Sequence, residues 1–384
     1  MLISKENTFK KKIPEENISE EKIPEENIPE DHIPNHQRIG ILSGGNWIID
    51  RVKIVDAYPK RECLANILSE SMHNGGAAYN LLTDLSLLGA SFPLAGVGLV
   101  GDDEDGERIL AQCAALRIDA SGVRKAPGLR TSFTDVVSEK GSGKRTFFHS
   151  RGANAGLDAE HFDLGASRAR IFHLGYLLLL DRLDQIEEDG RSRAYHLLMR
   201  AKALGFRTAV DMVSAEDDRF ASTVAGTLPA VDILFLNEYE AERITGVTLR
   251  GQSVWREGAA RWALESLLAK GVNEWAILHF PDGACALSAA GEWHCQGSVK
   301  VPVGSIAGTV GAGDAFAAGV LFGLHQDAGM GKCLIMGVSA AAACLTRPGS
   351  SDGIVAMPLC LELGRLFGFR DVSRIRDAYK EAQP

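Results

Sequence analysis

The chain reads as an α/β protein of three layers, with helices on both faces of a mainly parallel central sheet and a small β-sheet lid at one side. Three observations carry that expectation. From residue 39 onward, short apolar runs alternate with helical patterns. Those runs lack in-and-out alternation, as strands covered on both faces do. Two segments that do alternate, 47–57 and 131–149, stand apart from the rhythm.

In chain order, the apolar runs 39–43, 94–100, 171–174, 208–212, 232–236 and 275–280 predict strands. Amphipathic patterns near 76–88, 105–116, 190–204, 216–226 and 256–270 predict the helices between them. A strand followed by a helix, repeated, needs a crossover each time and so builds a parallel sheet. The alternating segments 47–57 and 131–149, the second with a Gly-Ser-Gly turn signal, predict a small antiparallel sheet beside that body. A body with such a flap suits an enzyme that closes over a small molecule.

The first 37 residues stand outside the pattern. From Ile13 a five-residue unit repeats (IPEEN, ISEEK, IPEEN, IPEDH, IPNHQ), carrying nine acids and five lysines over 1–37. Prolines 14, 24, 29 and 34 oppose helix, and one isoleucine per unit cannot offset the ordering entropy. The composition predicts a disordered acidic tail over 1–37 and a folded body over 38–384.

The whole chain has 384 residues, 45% of them hydrophobic, and a net charge of −9. An acidic surface repels phosphate backbones, which argues against a nucleic-acid partner. No stretch reaches the roughly 18 apolar residues of a membrane span, and Met1-Leu2-Ile3-Ser4-Lys5 lacks the apolar region of a secretory signal. The seven cysteines form no CxxC pair, and an odd count fits a closed disulfide framework poorly. They read as small apolar fillers in a reducing compartment, and the protein as cytoplasmic.

Two motifs look like nucleotide sites and are not expected to be. Gly96-Val97-Gly98-Leu99-Val100-Gly101 matches the dinucleotide fingerprint, but four acids follow at 102–105 and would repel a pyrophosphate. Gly141-Ser142-Gly143-Lys144-Arg145-Thr146 lacks the leading glycine of a P-loop and leads into a strand pattern. Chemistry concentrates instead at 307–324. Gly308, Gly311 and Gly313 make a flexible turn before an apolar helix pattern at 314–325. Converging amides at a helix start can cradle an anion that forms during reaction. Asp314 beside them is placed to take a proton from an attacking hydroxyl, although an ordinary helix N-cap would look the same.

Here the sequence resembles the PfkB/ribokinase family of sugar and nucleoside kinases. Gly311-Ala312-Gly313-Asp314-Ala315-Phe316 is similar to the family's second signature, and further matches follow the family's order. Gly45-Asn46-Trp47-Ile48-Ile49-Asp50 resembles the first-strand motif whose Asp binds substrate hydroxyls. Asn74-Gly75-Gly76-Ala77-Ala78-Tyr79-Asn80 resembles the GGxxxN segment of the substrate pocket. Asn237-Glu238-Tyr239-Glu240 resembles the NxxE motif that places magnesium and phosphates. Gly98 to Asp103, with Gly106 following, fits the family's run after its second large strand.

The resemblance implies a ribokinase-like fold and ATP-dependent transfer of a γ-phosphoryl group to a hydroxyl of a sugar or sugar-like molecule. Asp314 would be the base, and the amides of Gly311, Ala312 and Gly313 the anion hole. Asp50, Gly75, Gly76 and Asn80 would bind substrate, while Asn237, Glu240, Thr309 and Gly283 would serve nucleotide and magnesium. The metal would be held indirectly, through water on Asn237 and Glu240. Two departures stand out. Gly308 replaces the Asp that usually precedes Thr309, which leaves a monovalent cation's role open. Phe280 replaces the first glycine of the nucleotide loop before Gly283. Alternatives are a nucleoside kinase, since the form at 45–50 resembles the adenosine-kinase branch, and a catalytically silent homologue. An exposed flap edge leaves a homodimer through the lid open.

Overall fold

The computed structural model describes residues 32–141, 145–216, 219–251, 254–256 and 258–373. Nine strands form the central sheet: β1 (Ile41–Gly45), β4 (Leu94–Gly101), β5 (Asp119–Ala126), β8 (Ile171–Leu177), β9 (Arg207–Met212), β10 (Ile233–Asn237), β13 (Trp275–Phe280), β14 (Gly283–Ser288) and β15 (Trp293–Gly297). They lie in the order β15-β14-β13-β10-β9-β8-β1-β4-β5. Every pairing from β13 to β5 is parallel, and the β13-β14-β15 edge is an antiparallel meander.

Helices cover both faces, as the expected three layers require. Side chains of α1 (Ala77–Leu87), α2 (Glu104–Ala115), α7 (Ala312–His325), α8 (Met330–Cys344) and α9 (Met357–Phe367) share one apolar cluster. Those of α3 (Arg193–Ala203), α4 (Phe220–Thr227), α5 (Glu238–Thr245) and α6 (Ala259–Ala269) share another, on the opposite face. A second sheet runs β3-β2-β6-β7, from β2 (Ile48–Val55), β3 (Ile67–Gly75), β6 (Ser132–Glu139) and β7 (Arg145–Ser150). It is not the antiparallel sheet expected but a mixed one, since β2 and β6 run parallel while the two outer pairings are antiparallel. A short pair, β11 (Arg250–Gly251) with β12 (Val254–Trp255), completes the strands.

The six expected strands of the body all appear, with ends moved by a few residues. The sheet adds β5, β14 and β15, which the apolar runs above did not include. β5 (DASGVRKA) is a half-exposed edge, and β15 (WHCQG) is the opposite one. β14 (GACALS) is wholly buried yet built of small residues. α8, mostly apolar, shows no periodic face because it is buried nearly all round. The GxGxxG stretch at 96–101 lies within β4, and Asp103 caps α2 by accepting from the Gly106 amide at 2.9 Å.

Two further readings need adjustment. Cys285 and Cys295 are joined in a disulfide, so the seven cysteines are not all free thiols. The two sit directly opposite each other on β14 and β15, a juxtaposition that only the hairpin register reveals. Of the expected tail, 1–31 lie outside the described residues. Positions 32–37 rest on the body: the Ile33 amide donates to the Leu204 carbonyl, and Asn35 Nδ2 donates to the Arg170 and Gly205 carbonyls. Arg38, buried, donates to the carbonyls of Ile33, Leu204, Ser167 and Ala169. Of the expected Gly-Ser-Gly turn at 141–143, positions 142 and 143 are also outside the described residues. Among the described residues no helix is long and apolar enough to cross a membrane.

Candidate active site

Parallel strands place their carboxyl ends along one edge, and ligands gather outside it. Here β9 ends near Asp211, β10 at Asn237 and β13 near His279, and the start of α7 faces them. Between them lies a cleft of about 790 Å³, lined by Tyr176, Asp211, Glu240, Thr309, Gly311 and Asp314 among others. A second cavity of about 420 Å³ shares Asn237, His279, Thr309 and Gly313 with it. Its remaining wall is largely apolar, with Phe280, Val301, Phe316, Ala341 and Leu345. The glycine loop thus borders both, and the acidic side chains Asp211, Glu240 and Asp314 belong to the larger cleft.

Gly311 turns the chain into α7 with φ +75°, a left-handed conformation that glycine adopts without strain. A Cβ there would stand 2.4 Å from the Ser350 carbonyl oxygen, so the residue also has no room for a side chain. The first amides of a helix have no intrahelical acceptor, so those around Gly311, Ala312 and Gly313 are available to an anion. Asp314, in the first turn and 8% exposed, accepts from Asn80 Nδ2 at 2.8 Å. Asn80 is itself fixed by Ser350 Oγ, which donates to its Oδ1 at 3.1 Å. The Tyr176 hydroxyl lies 2.7 and 2.8 Å from the two carboxylate oxygens. Burial, then the charge of Asp211, pushes the Asp314 carboxyl up to about 7, against the pull of the Tyr176 and Asn80 hydrogen bonds. A carboxyl so tuned exchanges protons near neutrality, as a general base requires.

Asp50 sits on β2 of the small sheet, opposite His73 of β3 and Thr134 of β6. Burial raises its carboxyl to about 6. Gly75 is required beside it, since a Cβ would meet Asp50 Oδ2 at 2.3 Å. Gly76 caps α1 with φ +93°. Asp50, Gly75 and Gly76 do not line the cleft itself. Gly76 begins the helix that carries Asn80, and Asp50 lies against Gly75 beside it.

Asn237 and Glu240 form a reciprocal capping box at the start of α5. The Asn237 amide donates to Glu240 Oε2 at 2.8 Å, and the Glu240 amide to Asn237 Oδ1 at 3.1 Å. Ser214 Oγ also donates to Glu240 Oε1, at 2.8 Å. Burial still lifts the Glu240 carboxyl to about 7. The pair is therefore a helix cap whose polar atoms also line the cleft. Gly283 lines the apolar cavity, and a Cβ there would meet the Gln296 carbonyl at 2.3 Å. Phe280 packs its ring 4.3 Å from Trp255 and closes one wall of the same cavity. At Gly308 a Cβ would come within 3.1 to 3.2 Å of the Pro348 and Arg347 carbonyls, a tight but not closed fit.

Tyr176, Asp211, His173 and Ser350 belong to this neighbourhood and were not singled out from the sequence. Asp211 ends an apolar strand at the ligand edge, which is a readable signal. Its Oδ1 is buried without a hydrogen-bond partner, 3.4 Å from His173 Nε2. His173 in turn meets Ser43 Oγ through Nδ1 at 2.8 Å. Tyr176 stands in a run of leucines and glycine with nothing to mark it.

Residues 40–357 match the family described as pfkB family carbohydrate kinase. A probable fructokinase of Arabidopsis thaliana is 30% identical over 263 residues, which is 66% of this chain and 70% of the relative. Among solved structures, Arabidopsis thaliana ribokinase complexed with ribose and ATP superposes with a TM-score of 0.68 at 19% identity, over 85% of this chain and 98% of that one. A Methanocaldococcus jannaschii nucleoside kinase superposes at 0.65 with 16% identity, over 85% and 98% of the two chains. These two likenesses concern the ribokinase-like fold.

Proposed function

The chain belongs to the pfkB family of carbohydrate kinases, and from that premise we propose that it transfers the γ-phosphoryl group of ATP to a hydroxyl of a sugar or sugar-like small molecule. One observation carries the reading. Asp314, raised to about 7, stands beside the open amides of a helix start where the polar cleft and the apolar cavity meet. The apolar cavity suits a nucleoside, the amides of Gly311, Ala312 and Gly313 suit the charge on the transferring group, and the polar cleft suits the acceptor. Asp314 takes the hydroxyl proton as the new phosphorus–oxygen bond forms. Asp50, Gly75, Gly76 and Asn80 would hold or frame the acceptor. Thr309 and Gly283 would border the nucleotide. The small sheet would act as the lid that excludes water, the competing acceptor.

Magnesium fits the donor set. Asp211 Oδ1 is buried without a partner, and Glu240 is held up by burial; both line the cleft. Hard carboxylate oxygens of this kind would suit a divalent ion, with Asn237 and Glu240 holding it through its water shell. When bound, the ion neutralises phosphate charge. Gly308 offers no carboxylate to a monovalent cation, so dependence on potassium is a variable of the assay. We place the enzyme in the cytoplasm, acting on free small molecules, and a dimer would pair through the edge of the small sheet.

ADP release with magnesium ATP, screened against free sugars and nucleosides with and without potassium, tests the reading. Turnover with a sugar supports it. Turnover restricted to nucleosides moves the substrate class, and nucleotide binding without turnover on any acceptor would favour a silent homologue.

A further inference from the structure

The Tyr176 hydroxyl lies where it has no structural need to be. Asp314 is already oriented without it: the carboxylate rises from the first turn of α7 and is held by Asn80, which Ser350 fixes in turn. The phenol adds a hydroxyl 2.7 and 2.8 Å from the two oxygens of the base. That is the hydrogen-bond reach a general base needs to the proton it removes. The same phenol feels the charges of Asp211 and Asp50 as well as Asp314. Asp211 lines the same cleft with its Oδ1 lacking a hydrogen-bond partner, so a ligand with several hydroxyls has a second acceptor there beside Asp314. Tyr176 lines the cleft, while the carboxylate behind it is only 8% exposed.

We propose that the Tyr176 hydroxyl occupies the seat of the acceptor hydroxyl, so that an acceptor reaches Asp314 only by displacing it. The idea rests on the kinase reading, in which Asp314 is the base. Tyr176 is then an internal competitor. Its backbone is pinned, the amide donating to Asn46 Oδ1 at 2.5 Å, so displacement is a swing of the side chain alone. The phenol donates to a carboxylate, a hydrogen bond of the stronger class. An acceptor with one hydroxyl replaces that bond at no gain. A polyol gains by reaching Asp211 as well, in the same cleft. Water, with a single oxygen, is disfavoured by the same arithmetic, so the tyrosine restrains wasteful hydrolysis.

The test compares the full chain with Tyr176→Phe, which keeps the ring and removes the hydroxyl. Losing a donor to the carboxylate raises Asp314 further, so both proteins are studied well above pH 7. D-fructose, D-ribose and adenosine are titrated calorimetrically with a non-hydrolysable ATP analogue present, and ATP hydrolysis is followed without acceptor. The seat predicts about tenfold tighter binding of at least one of these probes in the variant, the size of a charge-assisted hydrogen bond no longer displaced. It also predicts hydrolysis several-fold faster. For any acceptor turned over, KM falls and kcat holds. Weaker or equal binding of all three probes overturns the proposal. So does a fall in kcat at unchanged KM, which would make Tyr176 a positioning residue for Asp314. Tighter binding in the variant without transfer by either protein would uphold the seat and refute the kinase reading instead.

Discussion

Asp314 works as a base only when ionised, and burial beside Asp211 holds its carboxyl at about 7. The folded value lies above the ordinary one, so the competent form is lost as pH falls through about 7. The rate constant kcat/KM should therefore rise with pH through neutrality along a limb of one proton, which a pH–rate profile checks. Replacing Asn80 by Leu removes a donor to the carboxylate and should move that limb to higher pH. Asp314, its glycines and the Asn237–Glu240 pair were legible because chemistry at a helix start needs particular residues at fixed spacing. Tyr176 and His173 were not. Each sits on a strand whose residues are read by burial, and only the sheet order places them against α7.

At the scale of elements, the anion hole depends on Gly311. In Gly311→Ala, a left-handed φ costs about 1–2 kcal/mol, and the new Cβ meets the Ser350 carbonyl at 2.4 Å. Because Ser350 also fixes Asn80, the shift reaches the base. We expect a Tm a few degrees lower and a turnover loss on the order of 10²-fold, since misplacements near 1 Å cost that much. A normal rate in a variant of lowered Tm would separate the loop's packing from its chemistry. The buried parallel strands were legible from their apolar runs. The edges β5 and β15 were not, because an exposed edge needs no apolar run, and β3 is polar along most of its length. Helix α8 escaped for the opposite reason, being buried almost all round.

At the scale of the molecule, the boundary between tail and body falls earlier than composition suggests. Ile33, Asn35 and Arg38 tie the chain to the β8 and α3 side through backbone carbonyls, and isolated polar residues carry no pattern that announces such ties. Deleting 1–31 should leave Tm and turnover unchanged. Deleting 1–38 should lower Tm by on the order of 5 °C, as the Arg38 hydrogen bonds go with it. Calorimetry of the two truncations distinguishes them, and equal Tm values would make the docked segment dispensable. The central claim is that the site where two cavities meet transfers a phosphoryl group with Asp314 as base. Its most direct test follows the phosphorus of magnesium ATP by NMR in the presence of an acceptor found by screening, for the wild type and Asp314→Asn. The account predicts a new phosphate ester in the wild type and a rate at least roughly 10²–10³ lower in the variant, with nucleotide still bound by both. Transfer by Asp314→Asn at the wild-type rate would contradict it.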